Sequence, residues 1–90
     1  MLHAGLDLSR KSVEVHLLGD DGSTVGIMSV PPDLDGLRGL VRTVSRLPGG
    51  QQVVGVVESM NGARFVHDTL ELAGWEVEIA DAAKVKGLAP

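Results

Sequence analysis

The hydrophobic residues of this 90-residue chain change period once, and that change restricts the folds open to it. Over the first thirty residues apolar and polar positions alternate, which is the two-residue period of half-buried strands. Leu2, Ala4, Leu6 and Leu8 share one face of a predicted strand over 2–8, and His3, Gly5 and Asp7 share the other. Ser9-Arg10-Lys11-Ser12 is a polar connection to a second strand, 13–18, with Val13, Val15 and Leu17 on one face. Gly19-Asp20-Asp21-Gly22 reads as a hairpin turn, because glycine supplies positive φ and aspartate bonds its own backbone. Residues 23–30 then make a third strand. Three strands joined by short polar turns form an antiparallel meander.

Beyond Val30 the period becomes helical. Pro31-Pro32-Asp33 opens a helix in which Leu34, Leu37, Leu40, Val41, Val44 and Leu47 recur at helical spacing until Pro48-Gly49-Gly50. Val53 to Val57 is apolar except for Gly55, the pattern of a strand covered on both faces. A second helix is expected over about 62–73, with Phe65, Val66, Thr69, Leu70 and Ala73 inward and Gly74 as its stop. Trp75 to Ala80 reads as a fifth strand, whose Glu76 and Glu78 alternate with Val77 and Ile79 as suits a guarded edge. A third helix is expected to start near Ala82. Helical crossovers make the fourth and fifth strands parallel, and the first strand should pair with the fourth. The predicted fold is therefore α/β: a mixed five-stranded sheet of order 3-2-1-4-5 with flanking helices, the ribonuclease H-like architecture. Residues 1–90 suffice for one such domain and leave no stretch that looks like a linker.

Composition narrows the chemistry. The chain has no cysteine, which excludes disulfides, thiolate zinc sites and Cys nucleophiles. His3, His16 and His67 are too scattered to read as a zinc site. No run approaches the roughly 18–20 apolar residues of a membrane span and no leader pattern opens the chain, so a cytoplasmic location is expected. Eight Lys and Arg against twelve Asp and Glu give a formal charge of −4, which disfavours holding nucleic acid by bulk electrostatics.

Two carboxylates stand where chemistry is expected. Asp7 lies at the end of the first strand and Glu58 at the end of the fourth. If those strands are parallel neighbours, both emerge at the carboxyl edge of the sheet, where α/β proteins form their ligand sites. Carboxylates that close repel unless a cation intervenes, and a hard Mg²⁺ or Mn²⁺ ion is the natural partner. Two such ions about 3.5–4 Å apart can hold a scissile phosphate. The structural alternative is that Asp7 begins a turn and Glu58 caps the second helix.

Several segments together resemble a known family. They are Gly5-Leu6-Asp7-Leu8-Ser9 with Val13-Glu14-Val15-His16, then Val56-Val57-Glu58-Ser59-Met60-Asn61-Gly62, Ala73-Gly74-Trp75-Glu76-Val77, and Lys84-Val85-Lys86-Gly87-Leu88-Ala89-Pro90. In order and spacing they are similar to the start of the RuvC-like, DEDD-type transposases of the IS-one-ten insertion-sequence family, over essentially the whole chain. The resemblance implies a recombinase that cleaves and joins DNA with Mg²⁺ or Mn²⁺, binds a guide RNA and assembles as a homo-oligomer. It assigns the first Asp of the family's acidic tetrad to Asp7 and the Glu to Glu58, as metal ligands and catalytic residues. Many members carry Thr-Gly after the Glu, where this chain has Met60-Asn61-Gly62. The last two acids of the tetrad, and the later domain with a serine nucleophile, have no counterpart here, and neither Ser9 nor Ser59 matches that serine. The expectation is the front part of a catalytic domain, truncated at its C-terminal end and inactive alone.

The remaining candidates are weaker. Arg38, Arg42 and Arg46 recur every four residues and read as a solvated basic stripe or as contacts to a nucleic-acid backbone. Arg10 and Lys11 flank the presumed site, where they belong to an exposed turn or touch a phosphate. Asp81 reads as the N-cap of the third helix. Phe65 and Trp75, the only aromatics, read as core anchors. A rival reading of the meander is an actin-like or sugar-kinase-like nucleotide-binding lobe, whose first Asp-containing turn cradles phosphate. A third is a non-catalytic assembly remnant.

Overall fold

The structure, a computed structural model, describes residues 1–81. Strands β1 (Leu2–Leu8), β2 (Val13–Leu18) and β3 (Thr24–Val30) form the meander. Helix α1 (Leu34–Ser45), strand β4 (Val53–Glu58), helix α2 (Ala63–Leu72) and strand β5 (Glu76–Ala80) follow. The sheet has the order β3-β2-β1-β4-β5. Pairing is antiparallel from β1 through β3 and parallel from β1 to β4 to β5. This is the ribonuclease H-like topology expected from the change of period. The expected third helix near Ala82 lies outside the described residues.

The turns use the chemistry that their residues supply. In the β2–β3 hairpin Gly22 has φ +82°, and its N–H donates to the carbonyl of Gly19 at 3.0 Å. Asp21 Oδ1 accepts from both the N–H (3.0 Å) and the hydroxyl (2.6 Å) of Ser23. Those bonds, the hydroxyl's first, hold the Asp21 carboxyl below its ordinary range. At the start of α1, Asp33 is extended and its carboxylate accepts from the N–H of Gly36 at 2.7 Å, a standard N-cap. Gly74, at φ +99°, turns the chain out of α2, and the Trp75 N–H donates back to the carbonyl of Leu70.

Both helices lie on one face of the sheet. Leu37, Leu40 and Val44 of α1 and Ala63, Val66 and Leu70 of α2 meet Leu2, Ala4, Leu6 and Leu8 of β1 and Val13, Val15 and Leu17 of β2. Burial of this set is nearly complete, and among the described residues no charged or polar side chain is buried with it. At about 1.5–3 kcal/mol per fully buried aliphatic side chain, this layer is the main source of stability.

Three expectations fail in the helices and in β4. Val54 and Val56 belong to the opposite, open face of the sheet, and Val56 is 45% exposed, so β4 is not covered on both faces among the described residues. An apolar run without alternation does not reveal which face is covered. Phe65 is exposed and Ala73 lies beyond α2, because burial runs through Ala63, Val66 and Leu70 at spacings of three and four. Trp75 is buried as expected, although it precedes β5 and does not open it. Leu34 opens α1 but stays exposed.

Candidate metal centre

The open face of the sheet carries the candidate site. Alternation along β1 sends Leu6 and Leu8 into the core and Asp7 to the open face. The same rule along β4 buries Val57 and exposes Glu58 on that face. Because Leu6 is level with Val57 in the parallel β1–β4 register, one residue further brings Asp7 level with Glu58. Neighbouring strands lie about 4.8 Å apart. Both carboxylates therefore stand side by side at the carboxyl ends of adjacent parallel strands. Among the described residues neither takes part in a hydrogen bond or an ion pair.

The turn after β1 and the cap of α2 are built by other residues. Asp7 lies inside β1, and the turn after it is organised by Ser9, whose hydroxyl accepts from the N–H groups of Lys11 (3.3 Å) and Ser12 (3.2 Å). The same hydroxyl donates to the carbonyl of Ser12 at 3.1 Å. The N-cap of α2 is Gly62, in the left-handed region, with no side-chain cap.

Sequence reasoning missed a third carboxylate beside these two. Glu14 is directly opposite Asp7 in the antiparallel β1–β2 register and is exposed on the same face. The signal was present, since Glu14 alternates with the buried Val13 and Val15, but its neighbour is known only once the register is. Its Oε1 accepts from the hydroxyls of Ser29 (3.1 Å), on β3, and Ser12 (3.4 Å). Among the described residues no three His, Asp or Glu side chains converge as a metal cluster. The oxygen donors that the strands bring level here are thus the two carboxylates of Asp7 and Glu58.

The basic candidates divide between two surfaces. Arg10 and Lys11 are exposed in the turn that follows β1, close in sequence to Asp7. Arg38 and Arg42 lie on the exposed side of α1, and Arg46 is its C-cap. Since α1 packs on the closed face, that stripe lies on the opposite side of the sheet from Asp7 and Glu58 and is a separate surface. His3 is level with Leu18 in the β1–β2 register, and its Nε2 lies 3.1 Å from Asp20. His67 sits between Asp68 (2.8 Å) and Glu71 (3.3 Å) on α2. Neither reaches the site. Asp81 follows β5 and is exposed.

No protein-family model matches this chain, and no curated protein matches it by sequence. Solved structures do match its fold. RuvC from T. thermophilus, solved in complex with a Holliday junction substrate, is similar with a TM-score of 0.63 and 15% identity, over 97% of this chain and 68% of that one. A ROK family protein from Streptococcus pneumoniae TIGR4, solved in complex with sucrose, is similar with a TM-score of 0.61 and 16% identity, over 98% of this chain and 37% of that one. The chain thus spans just over a third of the ROK protein's length. At such identities the likeness establishes a shared RuvC-like, ribonuclease H-like fold. No helix among the described residues is long and apolar enough to cross a membrane.

Proposed function

We propose that this chain is the front part of a metal-dependent domain that acts on DNA phosphodiesters, with Asp7 and Glu58 as its first two metal ligands. The observation that carries the proposal is their juxtaposition: two exposed, unpartnered carboxylates on neighbouring parallel strands, at the carboxyl edge of the sheet. Their hard oxygen donors suit Mg²⁺ or Mn²⁺. When bound, such an ion supplies charge neutralisation for a phosphate and activates a water or hydroxyl nucleophile. The protein's part is to fix two oxygens on rigid strands, so that the ion's position is set by the sheet. Arg10 and Lys11, in the turn beyond Asp7, are placed to meet a phosphate oxygen approaching that edge. The likeness to a resolvase solved with a DNA junction supports DNA as the substrate class.

The finer reading is a transposase of the RuvC-like, DEDD type. It rests on the sequence segments around Asp7, Glu58, Trp75 and Lys84, which follow one another in the family's order. It carries with it a guide RNA, a homo-oligomeric assembly and the two further acids of the family's tetrad. Phosphate contacts from Arg38, Arg42 and Arg46 would belong to the far side of the domain, away from the metal.

A second reading, a sugar-kinase-like lobe, is favoured by one observation: the ROK protein matches 98% of this chain. There the Ser9–Ser12 turn, with Arg10 and Lys11, would face a nucleotide phosphate. Calorimetric titration separates the two. The nuclease reading expects weak Mn²⁺ binding that needs Asp7 and Glu58 and is indifferent to ATP. Mg²⁺-ATP binding that survives Glu58→Ala would favour the kinase-like lobe instead.

A further inference from the structure

The outer surface of the helical layer combines a row of cations with an apolar groove. Leu34, Arg38, Arg42 and Arg46 follow one another at intervals of four along α1 and its C-cap, so they form one ridge with about 6 Å from each residue to the next. All four are exposed. Among the described residues none of the three guanidinium groups has a carboxylate partner or a hydrogen bond. The acids of α2 are engaged elsewhere. Asp68 Oδ1 lies 2.8 Å from His67 Nδ1, while Glu71 Oε1 lies 3.3 Å from His67 Nε2 and accepts from the N–H of Val77 at 3.3 Å. Between the ridge and α2 runs a groove of about 290 Å³, lined by Leu34, Arg38, Thr69, Leu72 and Ala73. Leu72 is 91% exposed. Unpaired cations beside an apolar groove are what an amphipathic helix of opposite charge recognises.

We propose that the groove between α1 and α2 docks an acidic amphipathic helix of a partner protein, whose carboxylates meet Arg38, Arg42 and Arg46 and whose apolar side chains cover Leu34 and Leu72. The spacing fits, because glutamates four residues apart on a partner helix also recur about every 6 Å. The residue type fits as well. A guanidinium takes a carboxylate through two hydrogen bonds and is weakly hydrated, so it tolerates the margin of an apolar interface. Charge selects the surface: the chain as a whole carries −4, so an acidic segment is drawn to this ridge and repelled by the acidic open face. A nucleic-acid backbone would meet the arginines but leave Leu34 and Leu72 against phosphates. No aromatic side chain lines the groove to stack a base. The inference does not rest on the metal site, which lies on the other face of the sheet.

Amide shift mapping of the ¹⁵N-labelled chain tests it with three probes. The first is a synthetic helical peptide of about 16 residues, long enough to span α1, with glutamates four apart on one side and leucines on the other. The second has alanines for those leucines, which keeps the charge and the helix. The third is single-stranded oligothymidylate of equal charge. The leucine peptide should saturate the amides of α1 and of residues 69–73, and the other two probes should bind that surface at least about tenfold more weakly. Arg38→Glu combined with Arg42→Glu should weaken the leucine peptide about tenfold or more, and Leu72→Ser should weaken it by a similar factor. Arg64→Ala, on α2 and outside the groove lining, should leave it unchanged. The substituted residues are exposed, and unchanged thermal melting would show that lost binding is not unfolding; Leu72→Ser decides alone if the double arginine variant melts early. No binding of the leucine peptide up to about 1 mM, a weak limit of about −4 kcal/mol, overturns the proposal. So does affinity indifferent to Leu72→Ser, or equal binding by the alanine peptide or by oligothymidylate, which would make the ridge a general anion surface.

Discussion

Asp7 is flanked by Glu14 on one side and Glu58 on the other, each on an adjacent strand and none paired with a cation among the described residues. Like charges directly opposite across strands are destabilising, by roughly 0.2–1 kcal/mol per pair. Asp7→Asn should therefore raise the melting temperature slightly in metal-free buffer while removing divalent-metal binding. A structural Asp would show the reverse, and thermal melts with and without Mn²⁺ check which holds. At the β2–β3 turn the sign is different. The hydroxyl and then the N–H of Ser23 hold the Asp21 carboxyl below its ordinary value of 3.8. A lowered folded value means that Asp21 contributes stability above pH 3.8 and loses it as pH falls through the lowered value. The difference in melting temperature between wild type and Asp21→Ala should thus be constant at neutral pH and close in stronger acid. Gly50 shows how tightly the backbone is packed below α1: a Cβ there would collide with the carbonyl oxygen of Val44. Gly50→Ala should cost about 1–3 kcal/mol, measured by denaturant unfolding, since backbone cannot give way as a flexible side chain does.

Among the elements, α1 is the better capped helix and α2 depends on packing. Asp33→Ala removes the bond to the Gly36 N–H and should cost about 0.5–2 kcal/mol. Leu70, fully buried between α2 and the sheet, should cost about 2–5 kcal/mol as Leu70→Ala. Most of this layer was legible in the sequence, because alternation along β1 and β2 and the three-four spacing of α1 each leave one possible inward face. Two features were not. The run Val53 to Val57 carries no alternation, so nothing local tells that Val54 and Val56 face away from the helices. Phe65 and Val66 are adjacent on α2, and only the docking angle of the helix decides that Val66 is buried and Phe65 exposed. The candidate site was legible to the same degree. Asp7 and Glu58 follow from topology alone, whereas the place of Glu14 needs the register of β1 on β2, and its turn toward Ser29 needs side-chain geometry.

At the scale of the molecule, the helices cover one face of the sheet and leave the carboxylates on the other, away from the arginines of α1. Two carboxylates do not fix two metal ions, and a net charge of −4 does not draw in a polyanion. This 90-residue chain should therefore neither cut nor join DNA with Mn²⁺ at low salt, and cleavage abolished by Glu58→Ala would contradict that expectation. The most direct measurement is paramagnetic: Mn²⁺ added in small amounts to the ¹⁵N-labelled chain, read amide by amide. A single ion held by Asp7 and Glu58 should broaden the amides around residues 6–9 and 57–59 first, and each of Asp7→Ala and Glu58→Ala should abolish that selectivity. Broadening centred instead on Glu76 and Glu78, or persisting around residues 6–9 and 57–59 in both variants, would contradict a metal site at this edge of the sheet.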